Sequence, residues 1–291
     1  MIHPNWTRPA ASMTDGYSLE MTAKDRPALL EAASVIAPET PIAITFLPNE
    51  TMAARIEAAA TVRSLGFEPM PHLSARRITS HEELEQMVAG CVAEAGVKRM
   101  FLVAGDPPVP AGPFSDTMSL IRTGIFERHG IRALGIAGHP QDHPSMDEDA
   151  RWSFLQQKHE ELSRRGMATL IVTQFAFDAA PFLRWLSDLR VRGIDAPVRI
   201  GVPGPAGIQT LIRYAARCGV GASASVMARY GASLTQLMGS AGPDKLVEGL
   251  RRGLTPAAGP VRLHFYPFGG LTRTVEWINR YAAARGDEAV A

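Results

Sequence analysis

Residues 102–112 read LVAGDPPVPAG, and their reading decides the fold. An apolar run climbs to Gly105, meets one carboxylate at Asp106, and is stopped at once by Pro107 and Pro108. A short apolar run bounded by Gly and Pro reads as a buried strand. One such ending is equally well a turn-forming Asp. The layout, however, recurs. Strand-like runs at 16–21 (GYSLEM), 41–46 (PIAITF), 67–73 (FEPMPHL), 97–105, 131–138, 168–174 (ATLIVTQ), 196–202 and 261–266 (VRLHFY) each precede a helical pattern. The helix after 67–73 opens on Ser80 followed by Glu83, the spacing of a capping box. Others are expected near 114–128, near 147–165 and from 205 onward. Eight strand-plus-helix units imply right-handed parallel crossovers and suit a single (β/α)8 TIM barrel better than an open sheet. The barrel is placed at 16–291, behind a polar, proline-broken extension at 1–15.

Composition narrows the class. The chain has 291 residues, 46% hydrophobic and 20% charged, enough for one barrel or two average domains. A formal charge of +1 gives no basic field for nucleic acid. No apolar stretch is long enough to span a bilayer, and the first residues lack the apolar region of a secretory signal. A cytoplasmic location without membrane contact is therefore expected, while exposed barrel helices leave a homo-oligomer open. Cys91 and Cys218 cannot form a four-thiolate zinc site or a disulfide framework. Neither GxGxxG after a strand, nor GxxxxGK[ST], nor GxSxG occurs. His139, Asp142 and His143 lack the spacing of a helical metal motif, and no metal is expected.

In such a barrel the active site forms at the C-terminal strand ends. Those ends carry, in order, Glu20, Thr45, His72, Asp106, His139 and Gln174. A buried polar group without a partner costs about 1–3 kcal/mol, so six at one end argue for a polar ligand. Each has a plainer account. Glu20 can pair with Lys24 or Arg76, Thr45 can be a β-branched strand residue, and His72 a core histidine. His139 and His143 can be solvated loop residues, and Arg76–Arg77 either a solvated pair or an anion holder.

These segments also carry a resemblance to the methylenetetrahydrofolate reductase family, a family of TIM barrels. SLEM (18–21) resembles its first-strand motif, MPHLSA (70–75) its Pro-His-Leu strand end, and VAGDPP (103–108) its Arg-Gly-Asp-Pro-Pro segment. AGHPQDHP (137–144), VTQFAFD (172–178) and LHFY (263–266) match further motifs in the same order. The resemblance implies reduction of 5,10-methylenetetrahydrofolate to 5-methyltetrahydrofolate by NADH or NADPH, with FAD passing the hydride, in one-carbon metabolism and methionine biosynthesis. The chain has the length of the catalytic barrel alone. By resemblance Glu20 is the acid that opens the methylene bridge, and Asp106 balances the developing positive charge. Gln174, Phe177 and Arg273 bind tetrahydrofolate. Thr45, His72, Ala104, Gly105, His139, His143 and Lys158 occupy the cofactor positions.

Departures from the family pattern gather on the flavin side. Ala104 stands where the family has Arg, His139 where it has Tyr, and Arg151 near its Asp, while Glu20, Asp106 and Gln174 are intact. Either altered contacts hold FAD, or the nicotinamide cofactor delivers hydride directly. Two other classes stand beside the reductase reading: a tetrahydrofolate-dependent methyltransferase barrel and a non-catalytic folate-binding homologue.

Overall fold

A computed structural model describes residues 12–143, 145–218 and 240–286. Most of the extension expected at 1–15, and the helix expected to continue past Cys218, lie outside these residues. Eight strands form a closed barrel: β1 (Ser18–Met21), β2 (Pro41–Ile44), β3 (Glu68–Ser74), β4 (Arg99–Val103), β5 (Ala133–Gly138), β6 (Ala168–Phe175), β7 (Val198–Pro203) and β10 (Val261–Tyr266). The order around the sheet is β1-β10-β7-β6-β5-β4-β3-β2. All eight expected strands are present. Their ends differ from the expected spans by at most two residues, and the last strand matches at both ends.

The helices are α1 (Arg26–Ala32), α2 (Met52–Ser64), α3 (His81–Ala95), α4 (Thr117–Ile121), α5 (Ile125–Arg128), α6 (Glu148–Arg164), α7 (Ala179–Val191), α8 (Ile208–Arg217), α9 (Asp244–Gly253) and α10 (Leu271–Gly286). Three differences from the sequence reading have local causes. The helix expected at 114–128 is two short ones, because Gly124 sits at φ +68 and breaks the turn. The Ser80 hydroxyl does cap α3 by accepting from Glu83 N, but the Glu83 carboxylate reaches back to Thr79 rather than to Ser80. A two-residue antiparallel ribbon, β8 (Ala206–Gly207) with β9 (Ser240–Ala241), was not foreseen, while α9 falls where further helix was expected. Among the described residues no helix is long and apolar enough to cross a membrane.

Internal contacts divide the chain into two compact units. The first comprises Ser18–Ala137 with Leu155–Ile171. Parallel register sets its inner layers: Glu20, Ala43 and Met70 are partners on β1–β3, and His72, Phe101 and Gly135 are partners on β3–β5. The His72 ring rests on Phe101 at 4.7 Å. A Cβ on Gly135 would lie 2.4 Å from the Phe101 ring, so only glycine leaves room for it. The second unit holds Gly138–Phe154 and the chain from Val172 onward. Its core includes Phe175, Phe177, Ala206, Ile208, Leu211 and Ala215.

Cys91 is fully buried on α3, and burial pushes its thiol up to about 12, whereas Cys218 is exposed. Only a thiolate reacts with disulfide reagents. The native protein should therefore release one equivalent of thionitrobenzoate from DTNB and the denatured protein two; fast reaction of both thiols in the native state would contradict this packing.

Candidate active site

In the first unit, Glu20 and His72 come from strands separated by β2, yet Glu20 Oε2 lies 3.8 Å from His72 Nε2. Side chains on non-adjacent strands meet only across an inner face. Ala43, the register partner of Glu20 on the strand between, contributes only a methyl group and leaves that space open. The two side chains keep 20% and 8% of their surface, so the carboxyl is shielded but reachable. Thr45 follows β2, and its N–H extends the ladder by donating to Met21 O at 2.8 Å.

Ser74 was not among the expected site residues. It lies two residues beyond His72 on β3, and that period-2 spacing is the sequence signal that could have found it. It is 3% exposed, and its hydroxyl has no hydrogen-bond partner among the described residues. The hydroxyl lies beneath Gly105, whose φ of +93 and missing Cβ make the approach feasible: a Cβ there would sit 2.1 Å from Ser74 Oγ. Asp106, one residue on, corrects the picture of six buried strand-end groups. Its side chain is 95% exposed on the loop past β4, with Arg77 Nη2 at 3.6 Å from Oδ2. Beside Arg77 lies Phe46, which also packs against the buried Arg55 guanidinium at 4.0 Å. Lys158, in α6, faces Asp116; burial pulls its ammonium down to about 8, and Asp116 offsets part of the shift.

In the second unit, Gln174 is half-buried on β6, its Oε1 accepting the N–H of Phe175 at 3.0 Å. On the same strand Thr169 bonds His159 of α6, so alternation turns Gln174 to the opposite, inner face. Phe177 is corrected from a substrate contact to a core residue: it is 4% exposed, edge-on to Phe175 in the cluster with Ile208 and Leu211. Tyr266 donates to the Thr173 carbonyl at 3.1 Å, and Phe268 stacks on Tyr214 at 4.2 Å. His139 and His143 meet edge to face at 4.8 Å, and burial and the neighbouring Arg151 both push the His143 imidazole down. Arg151 bonds the Gln141 carbonyl and lies 3.4 Å from Asp142. Arg273 is exposed in the first turn of α10. Among the described residues no group of three or more His, Cys, Asp or Glu is placed to hold a metal ion.

The family model for methylenetetrahydrofolate reductase matches residues 22–268. The chain belongs to the methylenetetrahydrofolate reductase family. Methylenetetrahydrofolate reductase 2 of Saccharomyces cerevisiae is 28% identical over 172 residues, 55% of this chain and 26% of its own. The 5,10-methylenetetrahydrofolate reductase of Pectobacterium carotovorum subsp. carotovorum is 26% identical over 150 residues, 52% and 48% of the two chains. The match thus spans between a quarter and a half of these relatives. Among solved structures, a protein from Clostridium thermocellum that binds two copies of 5-methyl-5,6,7,8-tetrahydrofolic acid superposes with a TM-score of 0.63 at 14% identity. It covers 94% of this chain and 96% of its own, and shows the same fold.

The flavin implied by the family meets an altered donor set. Ala104 has no side-chain donor, and its carbonyl is taken by the Arg76 N–H at 2.9 Å. Burial pulls the Lys158 ammonium down, and Arg151, in α6, is bonded to the Gln141 carbonyl on the loop before that helix. A flavin dinucleotide needs cations or N–H groups for its phosphates, and these residues do not fit that demand.

The Gly105 contact yields a stability test. Replacing Gly105 by Ala forces a positive φ and drives a methyl onto Ser74, which should cost about 1–3 kcal/mol in urea unfolding. Adding Ser74→Ala should recover part of the loss, and no recovery would show that the hydroxyl is not the obstacle.

Proposed function

We propose that this chain reduces 5,10-methylenetetrahydrofolate to 5-methyltetrahydrofolate with a hydride taken directly from NADH or NADPH, and that residues 16–291 act as one catalytic barrel behind the 1–15 extension. The observation that carries this reading is the Glu20–His72 pair, an acid and an imidazole brought together across β2 in a chain of this family. Glu20 protonates N10 of the folate as the methylene bridge opens, leaving a cationic N5 iminium. The hydride adds to the iminium carbon, giving the N5 methyl group and NAD(P)⁺, and solvent returns a proton to Glu20. General acid catalysis of this kind supplies about 10²–10⁴ in rate. His72 sits where it can orient the Glu20 carboxyl and pass that proton. The exposed Asp106 carboxylate places negative charge where the iminium develops. Gln174 offers an amide donor and acceptor to the pterin, with Phe177 buried behind it as support. Arg273 attracts the folate glutamate.

The departures at Ala104, His139 and Arg151 support transfer without a flavin intermediary, since an iminium carbon is electrophilic enough to take hydride from a nicotinamide. Relatives named for NADH, such as methylenetetrahydrofolate reductase (NADH) 1 of Arabidopsis thaliana, support a nicotinamide reductant.

Two measurements test the reading. Glu20→Gln should lower kcat for NADH oxidation with methylenetetrahydrofolate by about 10²-fold or more, while calorimetric binding of 5-methyltetrahydrofolate stays within a few-fold. Turnover equal to the parent would remove Glu20 as the acid. The purified protein, reloaded with FAD and desalted, should show no stoichiometric band near 450 nm yet turn over; a retained flavin would return the hydride to the family route.

A further inference from the structure

The two arginines that leave β3 are used on one loop. Arg76 binds its backbone: the Arg76 N–H donates to Ala104 O at 2.9 Å, and its carbonyl accepts from Ala111 N at 2.9 Å. Its guanidinium reaches Ser115 O at 2.8 Å and Pro107 O at 3.3 Å. Gly112 lies so close to this turn that a Cβ would fall 2.3 Å from Thr79 O. These contacts run from residue 104 to residue 115, on either side of Asp106. Arg77 then supplies what the backbone contacts lack, a partner for the carboxylate itself.

An exposed ion pair ordinarily fixes little, because both side chains move. Here one partner is restrained. The Arg77 side chain is only 23% exposed, and its guanidinium lies 5.8 Å from the centre of the Phe46 ring. Phe46 is backed in turn by Arg55, a guanidinium 4.0 Å from the ring centre on a residue 5% exposed. Arg55 comes from α2, whose first turn is capped by Thr51, so the row from Arg55 through Phe46 to Arg77 starts on a fixed element. A guanidinium over an aromatic face is held by the ring quadrupole as well as by packing. The carboxylate at the end of the row is presented to solvent from one side.

We infer that Arg77 is a positioning residue for Asp106, seated on Phe46 and Arg55, and that Arg76–Arg77 is a clamp on the Asp106 loop rather than a free anion-binding pair. The inference rests on the reading above, in which Asp106 faces the folate cation. Arg77 makes no contact with the reacting atoms. It fixes the direction in which Asp106 presents its charge.

A double-mutant cycle tests this, with kcat/KM for methylenetetrahydrofolate and Tm as readouts. Arg77→Gln should lower kcat/KM roughly tenfold, with KM for NADH unchanged and Tm moved by less than about 3 °C. In an Asp106→Asn background the same substitution should change kcat/KM less than about twofold. Arg77→Lys, which keeps the charge and the stem on Phe46, should recover part of the loss and carries the cycle if the Gln variant does not fold. An equal loss in both backgrounds, no loss in either, or a rate loss that follows a fall in Tm would overturn the inference. An Asp106→Asn variant as active as the parent would overturn the role of Asp106 instead, which separates the two failures.

Discussion

A carboxyl on the inner face of a barrel strand has to be answered by another group, because an unpartnered charge there is costly. Glu20 meets His72 at 3.8 Å, and that meeting depends on a methyl group: Ala43 on the intervening strand is small enough for the two to reach across. The layer above repeats the device. Gly135 makes room for Phe101, and Phe101 supports the His72 ring. Small residues on β2 and β5 thus decide how the polar residues on β1 and β3 are held, and with them the acid of the proposed reaction.

The second carboxylate is held by a different principle. Asp106 stands in water, past the end of β4, where burial cannot restrain it. Its order comes from outside the strand, through the backbone bonds of Arg76 and the guanidinium of Arg77. One carboxyl shielded beside a histidine and one facing solvent is a division of labour suited to chemistry in which a proton is given and a cation is stabilised. The two fit the reaction proposed above.

The contrast between intact and altered positions has the same logic. Of the residues that touch the substrate in the proposed scheme, Glu20 and Gln174 lie on strands, where register fixes them. Two altered positions lie beyond β4 and β5, Ala104 on the loop after β4 and Arg151 at the start of α6, and each is drawn into local bonds: Ala104 by its carbonyl, Arg151 by the carbonyl of Gln141. Loops change more freely than strands, so divergence concentrated there leaves the barrel and its inner carboxyl undisturbed.

Strand positions were legible in the sequence because the signals are local: an apolar run, its Gly and Pro ends, and the helical pattern that follows. The eight strands, their parallel order, and Glu20, His72 and Gln174 at strand ends all follow from those signals and from alternation along a strand. The β8–β9 ribbon does not, since it pairs segments distant in the chain, and the break of the 114–128 helix turns on the positive φ that Gly124 adopts. Nor did the sequence distinguish a buried carboxyl from an exposed one, a pterin-facing phenylalanine from the core residue Phe177, or an anion-binding arginine pair from a clamp. Those distinctions rest on which side chains meet across 25 to 55 residues of chain, as Glu20 meets His72 and Arg77 meets Asp106. Register and packing decide such meetings, and only the tertiary structure contains them.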